Sequence, residues 1–375
     1  MKTKLRALGI MNGTSLDGID YSLIEINAKT GQFHFIKHKQ LALPKKIKAS
    51  LLEAAQDNLK VSELAQLHFA LGKVYAQQVK KLSWKWDLAG LHGQTVFHHG
   101  KIASLQIGNP AFLTTSSSKP VVFDFRSNDI AVDGQGAPFA PFFQRAIFAH
   151  MKPAQVAFHN LGGISNVTLL KKGTSKSRSE GQRQNRNPLK AKVDVKGWDT
   201  GPANILMDSW IFHKTKGKMT FDKNGKLAHA GIAHWPSLEK FLKHPYFKKK
   251  APKSCGREQF NFDFIQKKGG KTFLKLSLED QMATLLELTA QTIAKDYKKV
   301  NSELPIYFYG GGVNNKTLMK RLKVLLHPHQ VLSTEDLGWP PQAFESSAFA
   351  YLRNSFGFYC LRLILFIGKL IIYTK

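Results

Sequence analysis

The sequence predicts an α/β protein made of two similar lobes. Three observations lead there. Strand-like apolar runs alternate with amphipathic helical stretches along the chain, the pattern of helices laid on sheets. One strand–turn–strand pattern occurs twice, about 150 residues apart, a spacing far longer than any solenoid period. The chain has 375 residues, 43% hydrophobic and 22% charged. That is enough for two cores, and it excludes a disordered, collagenous or small stapled protein.

The first hairpin runs from Leu5–Met11 through the turn Asn12-Gly13-Thr14-Ser15 into Tyr21–Ile26. The second runs from Val156–Phe158 through Asn160-Leu161-Gly162-Gly163 into Asn166–Leu170. Apolar runs on either side of a glycine-bearing turn signal paired strands. Val61, Leu64, Leu67, His68, Leu71, Val74, Tyr75, Val79 and Leu82 recur at i+3/i+4 spacing, one buried face of a helix. Ser277-Leu278-Glu279-Asp280 resembles a capping box and opens a helix carrying Met282, Leu285, Leu286, Thr289 and Ile293. A further apolar strand, Pro305–Tyr309, runs into Gly310-Gly311-Gly312. Residues 171–192, rich in Lys, Ser, Arg and Asn, are expected to form a flexible surface insertion.

The net charge is +29, which favours the approach of any polyanion. Residues 171–196 hold nine Lys/Arg against Glu180 and Asp194, and Lys243–Arg257 adds six with no acid. Neither run interleaves aromatics or accompanies a base-reading motif, so a nucleic-acid partner is not expected. The two cysteines, Cys255 and Cys360, make neither a disulfide framework nor a zinc quartet. Met1–Met11 holds only a short apolar run, where a secretory segment needs about 7–15 apolar residues; a cytoplasmic protein is expected. Phe356–Tyr373 is mostly apolar but is interrupted by Arg362 and Lys369. Each cation costs about 2.5–3.5 kcal/mol near a bilayer centre, so stable membrane insertion is not expected.

Three glycine clusters follow predicted strands: Gly13–Gly18, Gly162-Gly163 and Gly310–Gly312. Glycine uncovers the backbone, so its amides can point at phosphate oxygens. A Walker loop and a Rossmann glycine fingerprint are both absent. Together the clusters favour a nucleotide cleft, although a tight turn explains any one of them. Trp198-Asp199-Thr200-Gly201-Pro202 places a carboxylate near a strand end. It suits a general base, or a capping acceptor for the helix that follows. Asp124-Phe125-Arg126-Ser127-Asn128-Asp129 sets two acids around an Arg, equally suited to substrate positioning and to a structural ion pair. His92 follows an apolar stretch as a candidate polar lining residue. The other histidines lack zincin spacing, and no serine or cysteine nucleophile motif occurs.

These pieces together resemble the anhydro-N-acetylmuramic acid kinases. The matching segments are Met11–Asp20, His92–Thr95, Gln106–Pro110, Asp124–Asp129 and Gly134–Pro138, then Asn160–Asn166, Asp199–Asn204, Lys253–Glu258, Gly310–Gly312 and Glu345–Ala350. Asn12 stands where the family usually has Ser, and Cys255 where it usually has Thr. After about Arg353 the chain departs from the family's Pro-containing polar ending.

The resemblance implies two ribonuclease-H-like lobes of the actin-like ATPase type, with ATP in the cleft between them. The N-terminal lobe would be residues 1–130, rejoined by a helix at 342–354. Residues 131–341 would form the C-terminal lobe, leaving 355–375 as an atypical apolar tail. The implied reaction turns 1,6-anhydro-N-acetylmuramic acid, water and ATP into N-acetylmuramic acid 6-phosphate and ADP, with Mg²⁺ as companion ion. Asp199 matches the family's catalytic base. Gly13, Thr14, Ser15, Leu16, Asp17, Gly18, Ile19 and Asp20 match its ATP-phosphate loop. Gly162 and Gly163 join Gly310, Gly311 and Gly312 on the nucleotide side. His92, Arg126, Asp129 and Glu345 match sugar-pocket positions. The partners implied are thus the amino sugar and ATP, and a homodimer is compatible with both. Two rivals stand beside this reading: another amino-sugar kinase of the same fold, and a non-catalytic basic protein that binds nucleotide or nucleic acid.

Overall fold

The structure is a computed structural model and describes residues 3–13, 16–173, 193–298, 300, 303–358 and 372–373. Thr14 and Ser15 of the first turn, residues 174–192 of the basic insertion, and the apolar tail past Phe358 other than Ile372 and Tyr373 lie outside the described residues. Met1–Phe143 with Ala343–Lys375 forms one unit, and Gln144–Gln342 forms the other.

In the first unit, β1 (Lys4–Asn12), β2 (Ile19–Asn27) and β3 (Phe33–Leu41) make an antiparallel meander. After helices α1 (Lys45–Ala55) and α2 (Val61–Leu82), β4 (Leu88–His99) returns parallel to β1. Strand β5 (Ala103–Ile107) folds back on the far end of β4. Helix α3 (Ala111–Ser117) leads to β6 (Val121–Val122), parallel to β4. The short α4 (Ser127–Ile130) and then α5 (Ala140–Phe148) follow.

The second unit repeats the plan. Strands β7 (Gln155–Leu161), β8 (Ile164–Lys172) and β9 (Val193–Pro202) form the meander. Five helices come next: α6 (Asn204–Lys214), α7 (Lys226–Ala230), α8 (Trp235–Leu242), α9 (Phe262–Lys275) and α10 (Leu278–Tyr297). Strand β10 (Pro305–Tyr309) then runs parallel to β7, and after α11 (Lys316–Leu325) β11 (Gln330–Ser333) runs parallel to β10. The orders are β3-β2-β1-β4-β6 and β9-β8-β7-β10-β11. With β5 set aside, both are the order 3-2-1-4-5, three antiparallel strands followed by two parallel ones. This is the ribonuclease-H-like topology, present twice. The central strands are covered on both faces, which is why Ala7, Leu8 and Ile10 are buried in succession.

The helix predicted over Val61–Leu82 forms, and Leu67, Leu71, Val74, Tyr75 and Val79 make its buried face. The predicted stripe starts one turn too early, since Val61 is 85% exposed. That first turn is held instead by the Glu63 carboxylate, which accepts the Lys60 amide at 2.8 Å. Ser277 caps α10 as predicted, its Oγ accepting the Asp280 amide at 3.1 Å. Among the described residues no helix is long and apolar enough to cross a membrane.

The last helix, α12 (Phe344–Phe358), packs on β1, β2 and β4 of the first unit. It closes a second core, in which Phe349 and Leu352 meet Val122, Phe125 and Phe139. Ile372–Tyr373 lies antiparallel along β6. The approach of α12 is close enough to demand glycine in β1: a Cβ on Gly9 would stand 1.8 Å from the Ser346 carbonyl oxygen and 2.9 Å from the Ala350 nitrogen. One strand away, Ser22 Oγ meets Ser346 Oγ at 2.6 Å and Ala343 O at 3.2 Å. Gly9→Ala should therefore push α12 off the sheet. Overpacking of this kind costs about 1–3 kcal/mol or more, and urea denaturation should show a lowered midpoint. An unchanged midpoint would mean that α12 does not seat on β1 as described.

Candidate functional site

The two units carry two separate polar clusters. In the first unit, β4 brings His92 to the sheet interior, 3% exposed. The Arg126 Nη2 and Nε groups donate to His92 Nε2 at 2.9 and 3.3 Å, and Arg126 Nη1 donates to the Gly136 carbonyl at 3.0 Å. A guanidinium can only donate, so His92 Nε2 accepts and the ring proton sits on Nδ1, facing the Gly93 carbonyl at 2.9 Å. His92 is thus a neutral imidazole. Burial first, then the Arg126 charge, pushes its pKa down to about 3.

Asp129 does not pair with Arg126. Its Oδ2 accepts the Gly136 amide at 2.7 Å, fixing the turn whose carbonyl receives the guanidinium. Asp124 accepts Ser127 N and Oγ at 3.2 and 2.7 Å. The ion-pair reading of this acidic stretch therefore fails: both carboxylates hold backbone, and the Arg is turned towards His92. Glu345 opens α12. Burial and the Asp20 charge raise its carboxyl to about 7 against the pull of Arg126. Burial also lowers Arg126 to about 10, opposed by Glu345. His92, Arg126, Asp129 and Glu345 thus share one neighbourhood.

The residues of the predicted phosphate loop have mixed surroundings. The Leu16 amide donates to the Gly13 carbonyl at 3.1 Å, and Leu16 is buried with φ 57°. Asp17 is exposed. A Cβ on Gly18 would lie 2.8 Å from Gln40 Cγ and 2.9 Å from the Leu41 carbonyl oxygen, so packing on β3 alone requires glycine there. Ile19 is in the core. Asp20 lies 2.8 Å from His38 Nε2, with Gln40 Nε2 at 3.4 Å. Sequence reasoning missed His38 and Gln40, because only strand register brings β3 beside Asp20.

In the second unit, Gly162-Gly163 follows β7 and Gly310–Gly312 follows β10, and these strands are parallel neighbours with Asn160 opposite Tyr309. The two clusters therefore meet at one sheet end. Gly310 has φ 88°, and a Cβ there would be 2.5 Å from Asn160 Oδ1; one on Gly312 would be 2.7 Å from Leu161 Cβ. Gly311, by contrast, has nothing within 4 Å of its would-be Cβ. The result is bare backbone beside open space, which fits a nucleotide. Among the described residues no group of three or more His, Cys, Asp and Glu could hold a metal ion.

Asp199 lies in β9 and does not cap α6. Its Oδ2 accepts the Cys255 amide at 3.0 Å, while its own amide donates to Lys253 O at 3.0 Å. The Tyr246 hydroxyl donates to the Asp199 carbonyl at 2.7 Å. The Lys253 ammonium is in turn bound to Asp296 at 2.9 Å, both side chains nearly buried, and Trp198 Nε1 donates to the same carboxylate at 3.0 Å. Burial raises Asp199 to about 6, opposed by the Cys255 amide and Lys253. Burial likewise pushes the Cys255 thiol up to about 12, so it stays a thiol at neutral pH and is no nucleophile. Lys253, Tyr246 and Asp296 were not predicted, although Lys253 and Cys255 share one recognised segment. Asp296 had no signal, being one acid at the end of an apolar helix.

A buried carboxyl with a raised pKa favours the folded state only while it is protonated. The native state then binds more protons than the unfolded state between about pH 4, the usual carboxylate value, and about pH 6. Stability attributable to Asp199 is therefore present below that window and lost as pH rises through it. Asp199→Asn should stabilise the protein above pH 6, by up to about 3 kcal/mol, with the gain vanishing near pH 4. Thermal melts across pH test this; a gain equal at both ends would refute it.

With this geometry in hand, the comparisons are specific. The family model for anhydro-N-acetylmuramic acid kinase matches residues 5–178 and 181–356. The anhydro-N-acetylmuramic acid kinase of Idiomarina loihiensis is 39% identical over 360 residues, covering 92% of this chain and 91% of the relative. That of Sulfurimonas denitrificans is 36% identical over 363 residues, covering 92% and 91%. Among solved structures, the activator of the 2-hydroxyisocaproyl-CoA dehydratase from Clostridium difficile aligns over 94% of this chain and 96% of its own, at 8% identity and a TM-score of 0.40. On the family model and the two kinases, the chain belongs to the anhydro-N-acetylmuramic acid kinase family.

Proposed function

We propose that this protein opens 1,6-anhydro-N-acetylmuramic acid with water and phosphorylates O6 from ATP, releasing N-acetylmuramic acid 6-phosphate and ADP. The observation that carries the reading is Asp199. A general base works best with a pKa near the operating pH, and burial brings Asp199 to about 6. Its Oδ2 is held by the Cys255 amide, which orients Oδ1 for a proton. A nucleotide-binding protein without chemistry has no need of such a carboxylate.

Asp199 takes a proton from water as the water oxygen attacks C1. The C1–O6 bond breaks, and O6 forms a bond to the γ-phosphorus as the bond to ADP breaks. The proton on Asp199 then passes to solvent. Because phosphoryl transfer rests on positioning and charge neutralisation, the remaining residues are holders. Arg126 has five N–H groups; those not engaged by His92 and Gly136 can reach oxygens of the amino sugar. Glu345, titrating near 7, can meet a sugar hydroxyl as donor or acceptor. The bare backbone at Gly162-Gly163 and Gly311 suits the nucleotide, and Gly13–Asp20 match the family's phosphate loop by sequence. Mg²⁺ is usually carried by phosphates and water with few protein ligands; it would neutralise the triphosphate.

A coupled ADP-release assay over a panel of amino sugars tests the reading. Turnover is expected with the anhydro sugar and to depend on Mg²⁺, stopping with EDTA. Asp199→Asn should lower kcat by about 10²–10⁴-fold while ATP still binds by calorimetry. Since the base must be ionised, kcat/KM should fall below about pH 6 with a single-proton limb. Retained turnover in Asp199→Asn would remove Asp199 from its role. ADP release with a plain amino sugar but not the anhydro sugar would favour a simple kinase.

A further inference from the structure

In β9 the pairing with β8 is broken at one point. Ser165 pairs with Gly201 and Asn166 with Asp199, so Thr200 is an extra residue, a β-bulge. A bulge reverses the in–out alternation of a strand and can re-aim the side chain beside it. Here the bulged residue is adjacent to Asp199.

Its side chain does not face solvent. Thr200 is wholly buried, and its Oγ1 donates to Ser165 Oγ at 2.7 Å. Ser165 Oγ lies 2.6 Å from His159 Nε2, and His159 Nδ1 lies 3.0 Å from the Tyr297 hydroxyl. His159 and Ser165 are 0% exposed and Tyr297 is 3% exposed. The chain Thr200–Ser165–His159–Tyr297 therefore crosses from β9 through β8 and β7 to the end of α10 without reaching water. Burial holds His159 down to about 3, and a neutral imidazole satisfies both neighbours in either tautomer. A buried polar chain is favourable only when every member is matched, and then it specifies one geometry.

We propose that this buried chain is the positioning device that fixes the bulge at Thr200 and thereby the aim of Asp199. The inference rests on Asp199 being the base. Its logic is geometric: the bulge sets where the carboxylate emerges, and the chain ties the bulge to the helix that also bears Asp296. The Lys253–Asp296 pair holds Asp199 from its other side. Among the described residues the titratable groups facing Asp199 are Lys253, Cys255 and Tyr246, none of them in the chain.

The experiment compares Thr200→Val, Ser165→Ala and Thr200→Ser with the parent and with Asp199→Asn. Thr200→Val keeps volume and deletes the hydroxyl, Ser165→Ala deletes the next link, and Thr200→Ser keeps the donor. Loss of aim should lower kcat about 10–100-fold in the first two, with calorimetric ATP affinity unchanged. Their acid limb should also move below about pH 6, because a loosened carboxylate regains water. Thr200→Ser should keep kcat within about twofold. A role in stability alone would lower the melting temperature and leave kcat and the acid limb in place, and that outcome overturns the proposal. Should Thr200→Val fail to fold, Ser165→Ala decides by itself. Full turnover in Asp199→Asn would remove the base assignment instead, whatever the other variants do.

Discussion

Much of the second unit's polar architecture hangs on the buried pair between Lys253 and Asp296, at 2.9 Å with side chains 3% and 4% exposed. Removing two charges from water is costly, and an apolar pair of like volume is often as stable. The pair makes better sense as a register device. Asp296 also accepts Trp198 Nε1 at 3.0 Å, so one carboxylate ties the 253–255 segment to β9 and to the end of α10. The Lys253 carbonyl and Cys255 amide then clasp Asp199. Removing one partner would leave an uncompensated charge in the core, a loss of about 3–5 kcal/mol, and would free the segment that holds Asp199.

The two units solve opposite electrostatic problems. In the second, burial raises the proton affinity of a carboxyl towards neutrality, opposed by one amide and one lysine. In the first, a cation is placed against a neutral ring. The contact is possible only because His92 presents a lone pair to Arg126 and remains unprotonated. With Glu345 near 7, that cluster combines a fixed cation, a neutral ring and one carboxyl whose charge changes near neutrality.

The fold was legible where period and punctuation agree. Both hairpins, the long helix over Val61–Leu82 and the capped α10 could be read because each buried face repeats locally. What a sequence cannot display is close approach between distant segments. Gly9 sits among apolar residues without any turn signal, and only its contact with Ser346 and Ala350 explains it. The site shows the same divide. Asp199 stood out by its setting, but its partners at 246, 253 and 255 are supplied by a segment far along the chain. In one dimension the two carboxylates around Arg126 suited substrate positioning and an ion pair equally; in three, each binds backbone. The bulge at Thr200 is a matter of register between two strands, and no single strand reveals it.

The enclosure that raises the proton affinity of Asp199 also makes it a weak point of the fold. A carboxylate in water ionises near 3.9 and would be a poor base at neutral pH. The value of about 6 at Asp199 arises from its burial in β9 beside Tyr246 and the 253–255 segment, and above pH 6 that burial opposes folding. The opposing free energy is offset by packing elsewhere in the unit, where Trp210, Phe241, Phe260 and Phe273 form a core about helices α6, α8, α9 and α10. The surplus of surface cations takes no part in this balance. Arg126 and Lys253 are distinguished from the exposed lysines by their burial and their fixed partners. What sets these two groups apart is their enclosed placement, which the net charge of +29 does not reveal.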